Sequence, residues 1–203
     1  LLPEVTLPIS PRLSAKKIPS TLVDLLNSRE ESPFQGIIRR PSTAPADRKS
    51  AVVQDTSLVK ALEESLSTAS GTLFPYRNLA TGDVDIESIW WTIVTYWSAV
   101  KEVFPEAWGL PPTQSRLMHG VGIRAMGRLM DRVMGPIELN DEGAHDEAVE
   151  SLRQIAPHCR WTNGEWEDLN DLPWNSLENT SRHIRNLSNL LVRLHVSTRT
   201  SST

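Results

Sequence analysis

The sequence predicts a mainly α-helical bundle with one small β-hairpin, and three observations lead there. Apolar residues recur at spacings of three and four through several segments long enough for a helix. Stretches rich in proline, serine and glycine separate those segments. Only two short apolar runs, within FQGIIRR and AVVQ, read as strands.

Taken in order, Ser10 and Pro11 form a helix start, a hydroxyl cap followed by proline at the first helical position. Leu13, Ile18, Leu22, Val23, Leu25 and Leu26 supply an apolar face behind it, and Pro19 predicts a kink or a division into two short helices. Residues 27–32 end the element, and Ser32 before Pro33 enforces extended backbone. GIIRR then pairs with AVVQ as a hairpin across residues 41–50, a loop without periodic apolar residues. Asp55 or Thr56 caps a helix on Leu58, Leu62 and Leu66, with Glu63 and Glu64 facing water, and residues 67–79 are loop.

The clearest helix covers residues 85–104. Asp83 or Asp85 stands at its positive end, Pro105 follows it, and Ile86, Ile89, Trp90, Ile93, Val94, Trp97 and Val100 share one face. Tryptophans within an aliphatic stripe read as core and not as a platform for bases. After the turn GLPP comes the most distinctive segment, with Gly120, Gly122 and Gly127 among Ile123, Met126, Met130 and Val133. Its apolar side predicts a packed helix, and its glycines predict close approach of another backbone. A break at Pro136 and at residues 140–143 leads to a short charged helix over 146–155. Residues 157–173 read as an irregular excursion packed by Trp161 and Trp166. The last helix, 179–196, buries Ile184, Leu187, Leu190, Leu191 and Leu194 between Arg182, Arg185 and Arg193, ahead of a disordered tail over 197–203.

A chain of 203 residues can bury one substantial core or two small ones. Its net charge of −4 is opposite to the basic excess of most nucleic-acid-binding domains, so any phosphate contact must be a local patch. No apolar stretch reaches the ~18 residues of a membrane span. Cys159 is the sole cysteine, which excludes an internal disulfide and fits a cytoplasmic setting. The chain opens on Leu1, which suggests a piece of a longer polypeptide.

Catalytic chemistry is not written in the residues. His119, His145, His158, His183 and His195 are scattered singly, without the i, i+4 pair that holds a metal, and no cofactor or metal is expected. Cys159 beside His158 lacks the ligands of a zinc site and the third group of a thiolate triad. Among the histidines, His119, beside Gly120 and Gly122, is the candidate for a functional role, against a plain structural hydrogen bond. Gly120-Val121-Gly122 lacks the context of a phosphate-binding glycine loop. Arg124, Arg128 and Arg132 step by four along one face, and with Arg116 they form the candidate phosphate-facing surface. The guanidinium fork suits phosphate; the alternative is a solvated face partly neutralised by Asp131 and Glu102.

The opening LLPEVTLPISPRLSAKKIPSTLVDLLNSREESPFQGIIRR, the block TLFPYRN, and FPEAWG with SRLMHGVGIRAMGRLM resemble the C-terminal half of bacterial DGQHR-domain proteins. That family includes DndB-like proteins linked to DNA phosphorothioate modification and DpdB-like proteins linked to deazaguanine insertion. The resemblance covers residues 1–135, read as a helical C-terminal region, and more weakly the final helix, and 136–203 is then a helical extension packed on it. The family's Asp-Gly-Gln-His-Arg motif, on a ParB-like N-terminal fold, is absent from this chain, so no catalytic residue carries over. The resemblance implies a helical region appended to a DNA-associated module in a defence or DNA-modification setting. Its expected partners are DNA, DNA-modification proteins and the missing N-terminal domain, with no membrane. Two alternatives stand beside it: a protein–protein assembly module, and an active-site contribution through His119 completed by the upstream domain.

Overall fold

The computed structural model describes residues 17–78, 80–139 and 143–200, the last three without their side chains. The chain is mainly helical: α1 (Ile18–Ser28), α2 (Asp55–Ser67), α3 (Ile86–Val103), α4 (Gly120–Val133), α5 (Ala144–Ile155) and α6 (Ser181–Thr200). Two short strand pairs accompany them, β1 (Ile38–Arg39) with β2 (Val53–Gln54) and β3 (Glu165–Trp166) with β4 (Leu172–Pro173). The proposed start at Ser10 and Pro11 lies outside the described residues. Pro19 sits in the first turn of α1, where its missing N–H is not needed, and the residues before it that would make a kink or a second short helix lie outside the described ones. The C-terminal helix continues to Thr200, past the point where the sequence suggested a tail, and 201–203 lie outside the described residues.

α4 lies at the centre, with α2 and α6 packed on it, while α3 packs on α5 and α1 on α2. Ten of its fourteen residues are buried. Side-chain size decides these neighbours. A β-carbon on Gly127 would stand 2.8 Å from the Ala61 Cβ, so this glycine–alanine contact brings α2 and α4 together backbone to backbone. The tryptophan helix α3 packs chiefly on α5, and it also reaches α4. The link between them is a side-chain one, the Tyr96 hydroxyl donating to the Met126 carbonyl oxygen at 2.7 Å.

On α3, Asp85 caps the N-terminus by accepting the Ser88 N–H at 3.0 Å, and Trp90 and Trp97 are fully buried. Trp97 meets Phe34 edge-on at 5.1 Å, and Arg29 lies over Trp90 at 5.7 Å. No base could stack on rings placed so deep.

The two β-branched runs do pair, with Ile38 opposite Val53 and Arg39 opposite Gln54, but in parallel and not as a hairpin. The connection between them is a long crossover containing a 3-10 turn at Asp47–Lys49, and parallel strands require such a path. Arg39 holds it in place, donating from Nε to the Ala51 carbonyl at 3.1 Å and from Nη2 to that of Arg48 at 2.6 Å. The antiparallel pair is β3–β4, in the tryptophan-rich excursion, where Trp166 sits opposite Leu172 and Trp161 packs on Trp166 at 5.1 Å.

Candidate nucleic-acid interface

The arginines of α4 do not form a common free ridge. Glu64 of α2 reaches between Arg124 and Arg128, accepting a hydrogen bond from Arg124 Nη2 at one oxygen and from Arg128 Nε at 2.7 Å at the other. Glu64 therefore faces α4, and not water as its place in the sequence suggested. Burial pushes its carboxyl up, yet hydrogen bonds and charge from Arg128 and Arg124 outweigh that and hold it below the usual carboxylate value. One turn further along, Ser65 donates to Asp131 Oδ1 at 2.5 Å and the Thr72 N–H donates to the same oxygen at 3.0 Å. Here burial prevails over these bonds and raises the Asp131 pKa.

Arg116 is engaged elsewhere. Its Nη1 donates to the Pro112 carbonyl at 2.6 Å, Nε and Nη2 donate to the Asn175 carbonyl at 3.2 and 2.5 Å, and the guanidinium lies 6.0 Å from the Trp174 ring centroid. It ties the loop before α4 to the loop before α6. Of the four arginines expected to face phosphate, only Arg132 is fully exposed.

His119 caps α4. Its Nδ1 accepts the Val121 N–H at 3.4 Å, a long bond, and burial together with the Arg116 charge lowers the imidazole pKa against the pull of Glu178. A neutral ring with Nδ1 as acceptor matches a structural cap. Gly120 and Gly122 are required by contact: a β-carbon on Gly120 would come within 2.8 Å of the Asn179 and Ser57 side chains, and one on Gly122 within 2.1 Å of the Arg116 carbonyl oxygen. The half-buried Cys159 donates weakly to the Ile155 carbonyl at 3.5 Å, and burial pushes its thiol up to about 12, so it is a protonated, unreactive group. Among the described residues no group of three histidine, cysteine or acidic side chains could hold a metal. No helix among them is long and apolar enough to cross a membrane.

Among the described residues, a row of accessible cations lies on α6. Arg182, Arg185, Asn186, Asn189 and Arg193 are all exposed, while Ile184, Leu187, Leu191 and Leu194 on the reverse side are buried in the core. At 3.6 residues per turn these five exposed residues fall within about 120° of the circumference and span about 16 Å along the axis. Asp168 accepts from Arg193 Nη2 at 2.9 Å at one end of the row. The spacing of this set is legible in the sequence, since 182, 185, 189 and 193 follow helical periodicity, whereas the freedom of its arginines from acidic partners depends on the fold. No family model, curated protein or solved structure matches the chain.

Proposed function

We propose that this chain is a non-catalytic helical module of a cytoplasmic DGQHR/ParB-like protein associated with bacterial DNA modification or defence, and that it contacts DNA through the outer face of α6. The observation behind the reading is the exposed row Arg182, Arg185, Asn186, Asn189, Arg193 on a helix whose other side is locked in the core. Arginine supplies charge-assisted bonds to phosphate, which position a protein on a duplex without reading its sequence. Asparagine adds groups able to bond sugar, phosphate or base edges. Assembly through an apolar face has less support, because the only large hydrophobic side chain exposed among the described residues is Val196.

A mobility-shift titration of duplex DNA over a range of salt concentrations tests the assignment. Arg182→Ala with Arg185→Ala should weaken binding and flatten the dependence of log K on log salt by about 1.8, two contacts at about 0.9 each. Arg124→Ala with Arg128→Ala should leave that slope where it was. An unchanged slope in the α6 variant removes this face as the DNA contact. Self-association or capture of a partner protein without nucleic acid, seen by light scattering, turns the reading to assembly.

A further inference from the structure

Beside the α6 row, the β3–β4 hairpin and the start of α6 enclose a cleft of about 400 Å³. That size lies within the range of small-molecule sites, about 300–1,000 Å³. Its apolar lining comes from Leu169, Leu172 and Leu177, and its polar lining includes Asn170, Arg182, His183 and Asn186. The hairpin turn bends through two consecutive left-handed residues, Asn170 at φ 60° and Asp171 at φ 53°, which asparagine and aspartate tolerate better than other side chains.

The hydrogen-bonding capacity of the lining has a sign. His183 Nδ1 accepts the Glu178 backbone N–H at 3.0 Å, which leaves Nε2 as the ring nitrogen able to donate. Asp168, the acidic member of the lining, has its charge matched by Arg193. Arg182 is exposed and makes no ion pair or hydrogen bond to any described residue. The cleft thus offers a guanidinium and an imidazole N–H to an anion, two carboxamides that both donate and accept, and the half-buried Leu169 and Leu172, backed by the core residue Leu177, for a flat apolar body.

We propose that this cleft binds a nucleoside monophosphate unit, its phosphate on Arg182 and His183 and its base against the leucines with Asn170 and Asn186 at the base edge. This rests on the nucleic-acid reading of α6 and names the part of the ligand that leaves the backbone row to enter the protein. The unit is either a free nucleotide or a nucleotide unstacked from a strand. A fatty chain would waste the carboxamides, and bare phosphate would waste the leucines.

The test is an NMR titration of the whole 203-residue chain, following backbone amides, with adenosine monophosphate, adenosine and inorganic phosphate in turn. Adenosine monophosphate should shift the amides of residues 169–172 and 182–186 saturably. Loss of the phosphate, in adenosine, and loss of the guanidinium, in Arg182→Ala, should each weaken binding about tenfold, the size of one charged hydrogen bond. A single-stranded oligonucleotide that moves the same amides identifies the source as a strand; movement by the mononucleotide alone identifies it as a free nucleotide. Amides unmoved at millimolar nucleotide overturn the proposal, as does an equal response to inorganic phosphate. Arg185→Ala separates the two ideas, since it reports on duplex binding along the row without touching the cleft. Duplex binding sensitive to Arg185 with a silent cleft defeats only the nucleotide site, whereas nucleotide binding without any duplex binding defeats only the DNA reading.

Discussion

Gly122 stands where a β-carbon would lie 2.1 Å from the Arg116 carbonyl oxygen and 2.5 Å from that of Leu117. Helix propensity alone favours alanine over glycine by about 1 kcal/mol. The clash is with backbone, which cannot rotate out of the way, so steric strain outweighs the propensity gain. Gly122→Ala should therefore destabilise the fold by about 1–3 kcal/mol, read as a lower denaturant midpoint at unchanged slope. A higher midpoint would mean that the loop before α4 yields freely. At Glu64 the effect is one of charge. Its folded pKa lies below the unfolded value, so its contribution is present above the unfolded pKa and lost as pH falls through the folded one. Asp131 has the opposite shift: its raised pKa makes the charged form a liability, which protonation relieves. The wild type should thus lose stability on acidification through the carboxylate range, about pH 5 to 3, and Glu64→Gln should lose less over that interval, with the Asp131 term exposed. Parallel pH profiles of the two proteins would assign the acid sensitivity elsewhere.

At the scale of elements, what could be read from the chain is what local chemistry determines. α3 was legible because its cap, its apolar face and the proline after it are all neighbours in sequence. Asp85→Ala removes both the bond from the Ser88 N–H and the 2.6 Å bond from the Ser88 hydroxyl, and should cost about 1 kcal/mol in a denaturation experiment. A loss near zero would show that burial of Trp90 and Trp97 holds the first turn without help. The strand pair was legible as two β-branched runs, yet its direction was not, because parallel or antiparallel is decided by the crossover that Arg39 pins, not by the runs themselves. The same limit applied to α4. Its glycines announced a close neighbour correctly, since small residues carry their packing meaning with them. Its arginines announced only charge, and the Glu64 that occupies Arg124 and Arg128 lies in another helix, where one sequence position says nothing of the contact.

For the whole molecule, a net charge of −4 requires that any polyanion be met by a locally positive surface, and the fold decides which cations remain for it. Arg40 is held by Asp24 at 2.5 Å, Arg124 and Arg128 by Glu64, and Arg153 by Glu102 at 2.9 Å. Among the described residues of the exposed α6 row, Arg193 pairs with Asp168, and both partners are largely in solvent. An exposed pair of this kind holds the fold together only weakly, so breaking it changes the surface more than the stability. Asp168→Asn keeps the size of the side chain and removes the negative charge. If DNA lies along α6, the freed Arg193 adds one phosphate contact to the row. Affinity at low salt should rise and the salt dependence should steepen by about 0.9, while the denaturant midpoint stays close to the wild-type value. The combination with Arg193→Ala should then return the slope to that of the wild type, since the arginine and not the missing carboxylate provides the gain. A steeper slope that survives loss of Arg193 would place the extra contact elsewhere and detach the α6 face from DNA binding.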